Sequence, residues 1–295
     1  MRWQGRSGSS NVDDRRGGGG GGARSSSRTA GGIGIGTIII IILSMVFGFD
    51  PSGLLGIVGG GGGANAPAVQ TSPGDRPTDE LGQFVSVVLK ETEDVWTKVF
   101  RENYSANYRK PVLVLFSGQD RSACGFADAA TGPFYCPADQ QVYIDLSFTE
   151  TLRRQFGASG DFALAYVVAH EVGHHIQNLL GYSQQVQQAR SRMREADANA
   201  MSVRLELQAD YLAGVWAHHA DRTANILEAG DIEEALKAAS AIGDDAIQKK
   251  TQGYVVPDSF THGTSAQRVR AFSSGYKTGD ASKKALDYFF QAREI

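Results

Sequence analysis

The chain has 295 residues, 41% of them hydrophobic, enough for one sizeable domain with extra segments or for two small ones. Its 29 basic and 32 acidic residues leave a net charge of −3, which excludes a whole-chain electrostatic case for nucleic acid. With only Cys124 and Cys136 present, a four-thiolate zinc site within one chain is excluded as well.

Residues 1–32 hold Arg2, Arg6, Arg15, Arg16, Arg24 and Arg28 against only Asp13 and Asp14, with a glycine run at Gly17–Gly22. So polar a segment buries too little apolar surface to offset its ordering entropy, which predicts a disordered tail. From Ile33 to Phe49 no residue is charged. With the weaker apolar patch Leu54–Val58 beyond Asp50-Pro51, this stretch predicts one transmembrane helix over 33–58. A secretory signal peptide fits less well, because the charged lead-in is long and no small-residue cleavage pattern closes the run. A buried core helix would have only Gly-rich flanks beside it. The arginines before the stretch, against Asp50, Asp75, Asp79 and Glu80 after it, put the N-terminus in the cytoplasm and the remainder outside.

Residues 59–77 are rich in Gly, Ala and Pro and predict a flexible linker, so that the folded domain spans 78–295. Apolar residues at helical spacing over Leu81–Phe100 predict a helix, and Pro111–Phe116 predicts a buried strand. An oxidising compartment makes Cys124 and Cys136 a disulfide closing a short loop; two buried thiols are the alternative. Gln141–Phe148 alternates polar and apolar residues over much of its length, the pattern of a half-buried strand. From Asp161 onward the pattern is helical. Capping boxes are expected at Thr264 with Gln267 and, in a variant form, at Asp231 with Glu234. Helix, a few strands, then several helices make an α+β domain, mostly helical with a small sheet.

The chemistry concentrates at His170-Glu171-Val172-Gly173-His174. On a helix, residues i and i+4 share a face, so His170 and His174 can grip one metal ion while Glu171 is placed to take a proton from water. Left without a metal, the two imidazoles and the carboxylate would need several other polar partners. A catalytic zinc takes three protein ligands. The third is expected from Glu206, with Asp210 one turn later accepting the free ring N–H of one ligand histidine. A solvated acidic face is the alternative for that pair, but Leu205, Leu207, Ala209, Leu212 and Trp216 surround it. His175 is expected beside the ligands or on the surface, and His218 and His219 at a helix end.

The motif with its downstream Glu-x-x-x-Asp resembles the gluzincin class of metallopeptidases. It is more similar still to the bacterial putative neutral zinc metallopeptidase family, through the opening Met-Arg-Trp-Gln-Gly-Arg, the apolar span, His-Glu-Val-Gly-His-His-Ile-Gln, Glu-Leu-Gln-Ala-Asp and Thr-His-Gly-Thr-Ser-Ala-Gln-Arg. The resemblance implies a zincin-like catalytic domain, a Zn2+ cofactor and a zinc metalloendopeptidase acting on a peptide or protein. It also implies a single-pass protein of the bacterial inner membrane whose catalytic domain is extracytoplasmic. By the same analogy His262 would stabilise the oxyanion, with Arg268 supporting the local fold, or else His262 merely caps a loop. The analogy also makes Val142–Phe148 an edge strand that accepts an extended peptide. The rival readings are a zincin-fold binding or chaperone-like envelope protein that no longer cleaves, and a zinc-stabilised structural domain.

Overall fold

The computed structural model describes residues 1–16, 77–129 and 132–292. In chain order the elements are β1 (Val12–Asp14), α1 (Glu80–Tyr104), β2 (Val112–Phe116), β3 (Gln119–Ser122), β4 (Gly125–Asp128), β5 (Phe134–Cys136), β6 (Gln141–Asp145), α2 (Phe148–Gln155), α3 (Asp161–Leu179), α4 (Tyr182–Arg190), α5 (Glu195–Ala224), α6 (Asp231–Ala241), α7 (Asp244–Gln252), α8 (Ser265–Thr278) and α9 (Lys283–Gln291). The described residues are mostly helical, with one sheet ordered β1-β2-β6-β5 and a separate β3–β4 hairpin.

Helix α3 is the axis of the molecule. Its apolar residues run all the way round, as suits a helix packed on every side, and every residue from Phe162 to Gln177 is buried. Each large side chain enclosed this way, such as Phe162, Leu164 or Val168, contributes roughly 1.5–3 kcal/mol. Two close approaches set the helix spacing. A Cβ on Gly173 of α3 would lie 3.0 Å from the Ala209 carbonyl of α5, and one on Gly214 of α5 would overlap the Phe272 carbonyl of α8. Only glycine lets these backbones meet. Helix α8 starts at the expected capping box, Thr264 with Gln267. The expected box at Asp231 does not form: Gly230 is the N-cap of α6, Asp231 is its first helical residue, and Glu234 instead accepts the Phe162 N–H at the start of α3.

Residues 1–16 correct the expectation of a disordered tail over 1–32. Strand β1 pairs in parallel with β2, Val12 opposite Leu113, and Met1, Trp3 and Val12 are buried in the core. The reason is that the charges are matched rather than solvated. Arg6 pairs with Glu91, Arg15 with Asp13 and Asp120, and Arg16 with Asp14 and Asp79. Composition averaged over the segment hides these specific partners.

The expected fold class also carried a transmembrane helix, and this is corrected. Among the described residues no helix is long and apolar enough to cross a membrane. The stretch 33–58 itself lies outside the described residues, as does the linker up to residue 76. Its flanks, however, belong to one folded body and pair strand to strand. A single crossing between them would put them on opposite faces of a bilayer, so the single-pass arrangement does not fit this fold.

The sheet corrects one further expectation. Strand β6 lies between β2, which it pairs in parallel, and β5, which it pairs in antiparallel fashion. Over Gln141–Tyr143 both of its edges are therefore occupied, so this part of the strand is not an edge open to a peptide. Chain direction turns at Leu146, and Phe148 already begins α2.

Candidate metal centre

Helices α3 and α5 cross where Gly173 meets Ala209, and this contact carries the site. It brings Glu206 to the two histidines of α3: His170 Nε2 lies 3.2 Å from Glu206 Oε2, and His174 Nε2 lies 3.5 Å from Glu206 Oε1. The three ligand atoms fall within 4.8 Å of one another, and all three residues are buried. Two imidazole nitrogens and one carboxylate are the donor set of a catalytic zinc that keeps one position open. The group therefore fits a metal ion on the chemistry of its donors. Asp161, Asp231 and Glu234 also cluster, but there the Met1 ammonium is the cation, 3.0 Å from Asp161 and 3.2 Å from Asp231.

Each ligand ring is held from behind. His170 Nδ1 lies 2.8 Å from Asp210 Oδ1. Asp210 also accepts from the Tyr166 hydroxyl at 2.6 Å and from Arg268 Nε and Nη2 at 2.8 and 3.0 Å, with every partner buried. Arg268 of α8 thus reaches the Asp210 carboxylate behind the metal centre as well as supporting the local fold, where its Nη1 donates to the Ile242 carbonyl. Burial works against an ionised Asp210, but Arg268 and His170 outweigh it and hold its pKa down at about 2. Burial likewise opposes a charged His170, yet Asp210 and Glu206 lift it to about 10. His174 Nδ1 meets Gln177 Oε1 at 2.9 Å.

Glu171 lies on the same helix beside the ligands and does not join them. Burial raises its pKa, and the lowering influence of His170, His174 and the Tyr135 backbone of β5 does not cancel that rise. Tyr135 is itself fixed by α3: its hydroxyl meets His175 Nδ1 at 3.0 Å and accepts from Asn178 at 3.0 Å. His175 is fully buried, with Nε2 donating to the Arg109 carbonyl at 2.6 Å. That residue docks β5 and the chain before β2 onto the motif helix, so it is neither a ligand nor a surface residue. Burial depresses its pKa to about 4, keeping it neutral. Cys136, next to Tyr135, is joined to Cys124 with an S–S distance of 2.01 Å, which ties the β3–β4 hairpin to β5.

His262 sits in the loop before α8, buried, with Nδ1 3.4 Å from Asp244 Oδ1. The other oxygen of Asp244 accepts the backbone N–H groups of Thr261, His262 and Gly263 at 2.6, 2.7 and 3.1 Å, so one carboxylate fixes the whole turn. Burial disfavours a charged His262, but the Glu206 and Asp244 carboxylates raise its pKa overall. The loop histidine therefore feels the field of the Glu206 carboxylate. His218 and His219 bind the carbonyls of Tyr276 and Gly279 and stand apart from the site.

Tyr166, Gln177, Gln208 and Asp244 are supporting residues that pattern reading does not single out. Gln177 follows His174 by three positions and so shares its face, a spacing that offers a signal. Asp244 lies far from the motif in sequence and offers none.

The sequence profile of a family described as putative neutral zinc metallopeptidase matches residues 1–286. The Uncharacterized protein YpfJ of Escherichia coli (strain K12) is 46% identical over 284 residues, which cover 96% of this chain and 97% of that protein. The Uncharacterized protein Mb2605 of Mycobacterium bovis is 47% identical over 183 residues, 59% of this chain and 61% of that protein. No solved structure matches the chain significantly. Zinc is the ion this family implies, and His170, His174 and Glu206 form a group able to hold it. Since the match runs from the packed N-terminal strand through both ligand-bearing helices and into α9, the chain belongs to the putative neutral zinc metallopeptidase family.

Proposed function

We propose that the protein hydrolyses peptide bonds as a zinc-dependent endopeptidase. The observation that carries this reading is the convergence of Glu206 from α5 on His170 and His174 of α3, at 3.2 and 3.5 Å, with Glu171 free beside them. Zinc at this position supplies a Lewis acid that acidifies water and polarises a carbonyl. Glu171 accepts a proton from the attacking water and passes it to the leaving amine. His262, steadied by Asp244, donates to the carbonyl oxygen as negative charge develops there. A peptide or protein substrate follows from the peptidase family. The disulfide fits an oxidising compartment, and we place the folded body there.

The test is metal analysis of the purified full chain together with cleavage of an unstructured protein, with and without chelator. Chelator-sensitive cleavage and one zinc per chain are expected. A folded, zinc-loaded protein that cleaves no substrate in a broad screen would favour a binding module instead.

A further inference from the structure

The two ligand histidines are oriented by different means. His170 leans on a carboxylate, an acceptor whose direction is not in doubt. His174 leans on an amide, which can present either its oxygen or its nitrogen, so the proton position on His174 depends on what orients Gln177.

The ambiguity resolves from the outside inward. The Leu286 carbonyl on α9 can only accept, so the Gln208 side-chain atom 2.9 Å from it is the NH2. Gln208 Oε1 therefore faces the other way, 3.0 Å from Gln177. The Gln177 nitrogen donates to that oxygen and, at 2.6 Å, to the Leu205 carbonyl, a second group that can only accept. Both hydrogens of the Gln177 amide are then used. Its oxygen is left for His174 Nδ1 at 2.9 Å, so that ring nitrogen carries the proton. Gln177 and Gln208 are both fully buried, so water is no alternative partner, and flipping either amide would set oxygen against oxygen.

We propose that the Leu205 carbonyl of α5, together with the Leu286 carbonyl of α9 acting through Gln208, orients Gln177 and so locks His174 as the Nδ1–H tautomer, presenting its Nε2 lone pair to the metal site in advance of metal binding. Gln177 and Gln208 are positioning residues. The proposal rests on the metal reading for its purpose but not for its geometry. It gives the C-terminal helix a part in the site, although none of that helix's side chains is a ligand.

The test uses the full chain labelled with 15N-histidine and stripped of metal. Long-range 1H–15N correlation reads the tautomer of each ring, His174→Ala assigns the signal, and competition with a chelating indicator gives the zinc dissociation constant. Wild type is expected to show Nδ1–H at His174. Gln177→Leu removes the amide oxygen that faces His174 Nδ1, so it should admit the Nε2–H form and weaken zinc binding about 10–100-fold. Gln177→Glu keeps an oxygen facing His174 Nδ1 in either protonation state, so it should retain the wild-type tautomer. An Nε2–H signal at His174 in wild type overturns the proposal, and so does a folded Gln177→Leu with unchanged tautomer and affinity. If Gln177→Leu does not fold, the wild-type signal and Gln177→Glu decide. Wild type that shows Nδ1–H but takes up no zinc upholds the relay and refutes the metal reading instead.

Discussion

Replacing Asp210 by Asn keeps the shape of the side chain and removes its charge. In the native protein this carboxylate accepts from His170 Nδ1, the Tyr166 hydroxyl and two nitrogens of Arg268, all between 2.6 and 3.0 Å. Arg268 is only 2% exposed, so without the Asp210 carboxylate its charge is left buried with only neutral hydrogen-bond partners, the Tyr166 hydroxyl and the Ile242 carbonyl among them. Breaking a buried ion pair from one side costs about 3–5 kcal/mol, a large share of the roughly 5–15 kcal/mol that holds a domain together. At about 2–4 °C per kcal/mol for a domain of this size, the metal-free variant should melt roughly 6–20 °C below wild type. With the His170 ring no longer steered, zinc affinity should also fall about 10–100-fold. The double variant Asp210→Asn with Arg268→Met removes the stranded charge. It should be less destabilised than Asp210→Asn with Arg268→Met losses simply added, giving a clear coupling energy. Thermal unfolding of the metal-stripped chain and chelator competition measure both effects. An Asp210→Asn variant within about 1 kcal/mol of wild type, or strictly additive losses in the cycle, would refute the reasoning.

Further outcomes follow from the same geometry. Glu171→Gln should bind zinc as wild type does and lose about 10²–10⁴-fold in turnover, whereas His170→Ala should lose metal and activity together; zinc-dependent cleavage by Glu171→Gln at the wild-type rate would exclude the base. Gly173→Ala puts a methyl group 3.0 Å from the Ala209 carbonyl, which should cost about 1–3 kcal/mol and weaken zinc binding as α3 and α5 part; an unchanged melting temperature and zinc affinity would show that the helices do not meet as described. Serine at both Cys124 and Cys136 should cost about 2–3 kcal/mol in a urea titration, given the sequence separation of 12, and an unshifted midpoint would contradict this. The pKa of Asp210 is held at about 2 against an ordinary 3.8. Its contribution is therefore fully present above about pH 3.8 and is lost as pH falls toward 2, on the order of 2 kcal/mol in all. Stability of Asp210→Asn should fall less steeply through that window, and parallel curves would count against the assignment.

The metal helix was legible because its message is local. His170, Glu171 and His174 lie within one turn and a half of helix, so sequence spacing alone puts the imidazoles on one face. Glu206 and Asp210 carry the same i, i+4 signature, and their apolar neighbours point to a buried face. Thr264 and Gln267 spell out a helix start for the same reason, since a capping box is satisfied within four residues. The N-terminus misled because its arginines find carboxylates from Asp13 and Asp14 nearby to Asp79, Glu91 and Asp120 far along the chain, and such pairing is invisible to composition.

Spacing along one helix thus determined which residues could bind a metal and which could act as a base, because helical geometry converts sequence interval directly into direction. Tertiary structure alone decided the distance between α3 and α5, the support of His174 by two amides and a carbonyl of α9, the turn that holds His262 and the place of residues 1–16 in the sheet. Each of those depends on backbones from remote parts of the chain meeting at fixed separation, and that separation is set by packing across the whole core rather than by any local run of residues.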